Sequence, residues 1–125
     1  MNGVKKGNGK EYRNNELIFE GEYLNGEKHG KGKEYDNDGK LIFEGEYLYS
    51  YKLNGKYYID GKLEYEGEYL NGKRNGKGKE YYKNGKLEFE GEYLNGERNG
   101  KGKEYYSDGT LRYEGEYLNG KETKS

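Results

Sequence analysis

The stretch Gly76-Lys77-Gly78-Lys79-Glu80-Tyr81-Tyr82-Lys83-Asn84-Gly85-Lys86-Leu87-Glu88-Phe89-Glu90-Gly91-Glu92-Tyr93-Leu94-Asn95-Gly96 decides the fold. It holds two runs of alternating residue type, each followed by Asn-Gly. Asn-Gly and Asp-Gly suit type I′ hairpin turns, whose two central residues both take positive φ. A two-residue turn at Asn84-Gly85 sets Tyr82 opposite Leu87, Glu80 opposite Phe89, Gly78 opposite Gly91 and Gly76 opposite Tyr93. On the other face, Lys79 meets Glu90 and Lys77 meets Glu92. The next turn, Asn95-Gly96, sets Glu90 against Lys101, Glu88 against Lys103 and Phe89 against Gly102. One face thus becomes a Lys/Glu ladder and the other collects aromatics and glycines. A slip of one residue would exchange the two faces.

The same units recur along the chain. An aromatic-Glu-Gly-Glu-Tyr-Leu block starts at Phe19, Phe43, Tyr65, Phe89 and Tyr113, with spacings of 24, 22, 24 and 24 residues. Between the blocks lies the Gly-Lys-Gly-Lys-Glu-Tyr element, at Gly30 to Tyr35, Gly76 to Tyr81 and Gly100 to Tyr105 and, less regularly, from Gly7. Ten strands are expected, at 7–13, 17–24, 30–36, 41–48, 52–59, 63–70, 76–82, 87–94, 100–106 and 111–118. The shorter first hairpin is expected to keep register through a three-residue loop at Asn14-Asn15-Glu16. No segment has helical periodicity. The unit from Phe43 is degenerate: Tyr49-Ser50 replaces Asn-Gly, Leu53-Asn54-Gly55 replaces Gly-x-Gly, and two residues are lost.

Composition explains why the fold cannot rest on an aliphatic core. Only 29% of the 125 residues are hydrophobic, and 17 residues are Tyr, against 23 Gly and 38% charged. The reading that follows is a one-layer core in which rings lie over strand glycines. Rings of Phe19, Tyr23, Phe89 and Tyr93 are expected to cover Gly30, Gly32, Gly100 and Gly102. Cysteine is absent, which excludes disulfides and thiolate chemistry. The N-terminal residues lack an apolar signal-peptide core, and no run approaches the ~20 apolar residues of a membrane span. A cytoplasmic location is therefore expected. A net charge of −1 with interleaved signs lacks the one-signed basic face of a nucleic-acid binder.

The segment Tyr65-Glu66-Gly67-Glu68-Tyr69-Leu70-Asn71-Gly72-Lys73-Arg74-Asn75-Gly76-Lys77-Gly78 resembles the MORN repeat. Phe19 to Gly32 and Phe89 to Gly102 resemble it throughout. Tyr113 to Gly120 is similar to its first half, and Gly7-Asn8-Gly9 to its tail. The family's second aromatic is often Trp, where this chain always has Tyr, and the common unit is one residue shorter. The longer unit is also similar to bacterial MORN-like proteins described as antitoxins. The resemblance implies an elongated, twisted, single-layer antiparallel sheet with a shallow groove. It implies one domain over 1–125, with three complete repeats, a degenerate central repeat at 43–62 and partial repeats at both ends. It also implies protein binding or scaffolding, with membrane lipid and end-to-end dimerisation linked to some relatives.

Candidate chemistry is sparse. His29, the only histidine, reads as a solvated turn residue. The Glu-Gly-Glu pairs could serve glycoside hydrolysis, but in strands they share a face with lysines opposite, and cross-strand pairing accounts for them. No phosphate-binding glycine loop and no metal-ligand spacing occurs. No enzyme activity and no cofactor are expected. The expected function is a non-catalytic interaction module holding a peptide or helix of a protein partner on its aromatic face. That groove is expected to be lined by Phe19, Tyr23, Phe43, Tyr47, Tyr65, Tyr69, Phe89, Tyr93, Tyr113 and Tyr117, with Tyr58, Tyr82 and Tyr106 alongside. The competing readings are a carbohydrate-binding repeat protein and a membrane-surface scaffold. Open edges at the outermost strands lead to the expectation of a weak homodimer.

Overall fold

The structure, a computed structural model, describes residues 6–123. Residues 1–5 and 124–125 of the expected domain lie outside the described residues. The strands are β1 (Lys6–Arg13), β2 (Glu16–Leu24), β3 (Glu27–Tyr35), β4 (Leu41–Leu48), β5 (Tyr51–Ile59), β6 (Lys62–Leu70), β7 (Lys73–Tyr81), β8 (Leu87–Leu94), β9 (Glu97–Tyr105), β10 (Leu111–Leu118) and β11 (Lys121–Glu122). They form a single antiparallel sheet in sequence order, all hairpin-connected. The sheet therefore has one short strand beyond the ten expected. β11 pairs with the end of β10, Tyr117 opposite Glu122, so an edge expected to be bare is partly covered.

Two kinds of turn alternate along most of the sheet. Asn25-Gly26, Asn71-Gly72 and Asn95-Gly96 carry positive φ at both residues, as type I′ requires. At Asn84-Gly85 only the glycine does. There the Gly85 amide donates to the Tyr82 carbonyl, and the Tyr82 amide donates to the Lys86 carbonyl, which closes a three-residue loop. Asp38-Gly39 and Asp108-Gly109 follow the same plan. A bulge beside this loop pairs Tyr81, not Tyr82, with Leu87, and from Glu80–Phe89 onward the register is the expected one. The first hairpin differs from expectation. Asn14-Asn15 is a two-residue turn with φ of 51° and 67°, Glu16 pairs with Arg13, and a bulge at Glu11/Tyr12 restores phase.

The register across Asn95-Gly96 is shifted by two residues from the expected one. Tyr93 pairs with Arg98, but Gly91 then pairs with Gly102 and Phe89 with Glu104. A bulge around Gly100, at φ +99°, absorbs the extra residues. The Glu92 carboxylate accepts the amide of Lys101 at 3.0 Å, closing the bulge. Glu22 and Glu68 do the same for Lys31 and Lys77. Because the shift is even, each side chain keeps its face. The bulge also draws the strand start forward, so β3, β7 and β9 begin three residues before the expected 30, 76 and 100.

The degenerate unit stays in phase. One of its missing residues comes from the bulge, where the shift between β4 and β5 is a single residue. The other comes from the following loop, where Asp60-Gly61 makes a two-residue turn. Its glycine Gly55 still pairs with Gly45 and Gly67.

Those pairings belong to a row that crosses the sheet: Gly9, Gly21, Gly32, Gly45, Gly55, Gly67, Gly78, Gly91, Gly102 and Gly115, each opposite the next. A Cβ on Gly32 would lie 2.7 Å from the Phe19 ring; one on Gly91 would lie 2.5 Å from the Lys101 carbonyl oxygen and 2.8 Å from Phe89. The rings rest where side chains would otherwise stand. Gly30 and Gly100, expected beneath rings, sit in bulges against Glu22 and Glu92 instead. Gly91→Ala is expected to cost about 3 kcal/mol in chemical denaturation, because backbone and ring must both shift. Lys83→Ala in an exposed loop should change stability by less than about 0.5 kcal/mol. Equal effects of the two substitutions would contradict this packing.

Candidate functional site

On the aromatic face the ten rings form one unbroken series. It runs Tyr23, Phe19, Tyr47, Phe43, Tyr69, Tyr65, Tyr93, Phe89, Tyr117, Tyr113, with each adjacent pair edge-to-face at centroid distances of 5.1 to 5.8 Å. Such pairs contribute about 0.5–1.5 kcal/mol each beyond area burial. Phe19, Phe43, Tyr65 and Phe89 are fully buried, Tyr47, Tyr93 and Tyr117 nearly so, and Tyr23, Tyr69 and Tyr113 half-buried. In a single-layer sheet that burial needs a cover, and cations supply it. Lys28 lies 4.2 Å above Phe19, Lys52 4.4 Å above Phe43, Arg74 4.2 Å above Tyr65 and Arg98 4.2 Å above Phe89. Cation and ring attract through the ring quadrupole.

Carboxylates hold that cover down. Glu11, Glu34, Glu80 and Glu104 accept the hydroxyls of Tyr23, Tyr47, Tyr93 and Tyr117. Glu11 lies 3.7 Å from Lys28 and Glu34 3.8 Å from Lys52. Arg98 reaches Glu80 at 3.1 Å and Glu104 at 3.0 Å. Burial pushes the Glu80 carboxyl up, but hydrogen bonds from Arg98 and Tyr93 outweigh it and hold it below 4.5. Burial and the neighbouring Glu80 raise Glu88 above the same value. In the degenerate unit Tyr57 takes the carboxylate's place, opposite both Phe43 and Tyr65.

The opposite face carries the charge ladder. Its main row runs Lys10, Glu20, Lys33, Glu44, Lys56, Glu66, Lys79, Glu90, Lys103, Glu114 without a break. The charges alternate, but they are not locked in contact. Among the described residues, one pair of this row, Lys103–Glu114 at 3.9 Å, comes within ion-pair distance. The glutamates take tyrosine hydroxyls instead: Tyr35 donates to Glu20, Tyr58 to Glu44, Tyr81 to Glu66 and Tyr105 to Glu90. Between the charged rows the glycine backbones form the floor of a trough. Its two sections, about 1130 Å³ and 980 Å³, both include Asn54, Gly55 and Lys56 and so join at β5.

The ten expected groove residues thus stand together on one face, most of them buried beneath a charged cover, and the concavity lies on the other face. Tyr58, expected among the rings, is on the ladder face: it stands two residues from Lys56 in β5, so alternation puts both on one side, and it donates to Glu44. Tyr82 donates to the Tyr105 carbonyl at 2.6 Å, and Tyr106 is exposed. His29 is not a solvated turn residue. It lies in β3, half-buried against the Tyr49 ring at 5.4 Å, and its buried Nδ1 has no hydrogen-bond partner among the described residues. Tyr35, Tyr58, Tyr81 and Tyr105 each follow a ladder lysine by two residues, so strand alternation already assigns them to the ladder face, a signal the sequence reading left unused.

A single-layer, hairpin-repeat sheet with an aromatic–glycine core defines a class of repeat module. The model of the MORN repeat matches residues 19–40, 65–86, 89–111 and 113–122, more than half of the chain, and the chain belongs to this family. MORN repeats are non-enzymatic modules generally associated with protein or membrane binding. Among curated proteins no sequence matches.

The buried tyrosines give the fold a basic limit. Burial and the adjacent Glu11 push the Tyr23 phenol up to about 12, and the hydrogen bond to Glu20, then burial, does the same for Tyr35. Tyr47, Tyr65, Tyr81, Tyr93 and Tyr117 are raised as well, burial being the largest cause for each. Above pH 10 the unfolded chain sheds phenol protons that the folded chain retains, so stability falls as pH rises. Thermal midpoints should drop steeply from pH 10 to 12, with phenolate absorbance appearing together with the loss of strand signal. Full tyrosine titration near pH 10 with the sheet intact would refute this.

Proposed function

We propose that the chain is a non-catalytic interaction module that holds an extended or helical segment of another protein along the trough of its ladder face. The observation that carries this is the contrast between the faces. The ring face, expected to receive the partner, keeps most of its apolar surface covered by its own cations. The ladder face offers a continuous concavity with lysines that are largely uncommitted. Its floor is backbone, so a guest chain can approach closely, and its walls alternate in charge, which favours register and orientation over bulk affinity. A near-neutral surface of alternating sign gains little from an anionic lipid surface, which attracts clustered Lys/Arg.

The test starts from a random-peptide library selected on the full chain. Lysines are then methylated reductively with and without a selected peptide. Protection is expected at Lys33, Lys56, Lys79 and Lys103, and none at Lys28 or Lys52, which lie on the ring face. Protection of Lys28 and Lys52 alone would move the site to the ring face, and failure to select any binding peptide would count against the module itself.

A further inference from the structure

We propose that the degenerate unit at β4–β5 is where the trough chooses its partner, and that it takes a segment carrying a lysine or arginine beside an aliphatic or aromatic side chain. This rests on the docking reading above.

The first observation is a break in charge. The second charged row, nearer the type I′ turns, runs Lys31, Glu46, Asn54, Glu68, Lys77 across β3 to β7. Asn54 stands where alternation would place a lysine. It pairs directly with Glu46 on one side and Glu68 on the other, and its Nδ2 donates to Glu46 at 3.0 Å. Two carboxylates thus flank a neutral residue at the junction of the trough's two sections. A cation supplied by a guest would restore the alternation seen elsewhere.

The second observation is an apolar rim at the same place. Leu48 pairs with Tyr51, and they are 41% and 60% exposed. In the other hairpins the corresponding leucine faces a charged residue: Glu27, Lys73, Glu97 or Lys121. Tyr49 and Leu53 add exposure of 58% and 44%. Exposed tyrosine beside leucine is the composition of an interface anchor.

The third observation is backbone strain. Tyr49 and Ser50 hold φ of 48° and 69°, a conformation that costs a side-chain-bearing residue more than Asn or Gly. The other type I′ turns use Asn or Asp first, and none uses an aromatic. The family model passes over residues 41–64, although the sheet continues through them in phase. The sequence departs from the repeat where the fold does not require it to.

The test uses peptides selected on the full chain and compares wild type with Asn54→Lys and Tyr51→Lys. Each variant restores the regular repeat at one position, so both should fold, as judged by strand circular dichroism. Selected peptides should be enriched in Lys or Arg beside apolar residues, and each variant should weaken their binding about tenfold. Peptides that protect the trough lysines but lack a basic residue, or that bind both variants as well as wild type, would overturn this inference and leave the trough reading standing. Failure of every peptide to protect trough lysines would overturn both. So would binding to phosphatidylserine vesicles in place of peptides. A dimer on sedimentation that Tyr51→Lys converts to monomer would make the rim a self-interface and overturn the inference.

Discussion

The structure depends on the contact between aromatic rings and the glycine row beneath them. A chain with so few aliphatic residues cannot bury enough apolar surface in a two-layer core to offset its ordering entropy. Here a single layer suffices, because the absent side chains of one strand make room for rings that reach over from their own and adjacent strands. Gly32 lies under both Phe19 and Tyr47, and Gly102 under both Phe89 and Tyr117. These two glycine positions are thereby shared by two repeats, and the rings link neighbouring repeats into one series of edge-to-face contacts. Lys28, Lys52, Arg74 and Arg98 then serve as the layer that a second sheet would supply elsewhere.

This packing also explains which irregularities the sheet accepts. The bulges at Gly30, Gly76 and Gly100 insert residues in even number, so glycine stays opposite glycine and no ring changes face. The second glutamate of each regular Glu-Gly-Glu closes its bulge through a backbone amide, a role distinct from the ladder. The degenerate unit loses one residue on each side of Gly55. The glycine row crosses it unchanged, and the cost falls on the turn, where Tyr49 and Ser50 adopt positive φ.

Much of the fold was legible because its signals are local. Asn-Gly and Asp-Gly mark the turns, alternation marks the faces, and glycine spacing marks the row. The pairs Glu80–Phe89, Gly78–Gly91 and Lys79–Glu90 are those expected from a two-residue turn at Asn84-Gly85, and the three-residue loop with its adjacent bulge arrives at the same register. The register beyond Asn95-Gly96 did not follow, because a bulge leaves no sign in alternation when its shift is even. Tyr58 was missed for a different reason: grouping it with Tyr82 and Tyr106 overlooks that the shortened unit aligns it with Tyr81, two residues from a ladder lysine. Of the candidate surface, the membership of the ring face was legible, but its coverage was not. Lys28 and Arg98 each sit just after a turn in a charged stretch, and only their strands place them over a ring.

The sequence by itself determined the repeat, the antiparallel hairpins, the single-layer architecture and the residues assigned to each face, because period-2 alternation and turn chemistry act over a few residues. Only the tertiary structure decided which face is covered and which is concave. That depends on cations and carboxylates from neighbouring strands, such as Arg98 with Glu80 and Glu104, meeting across the sheet, and no spacing along the chain encodes how those long side chains divide between water and a ring.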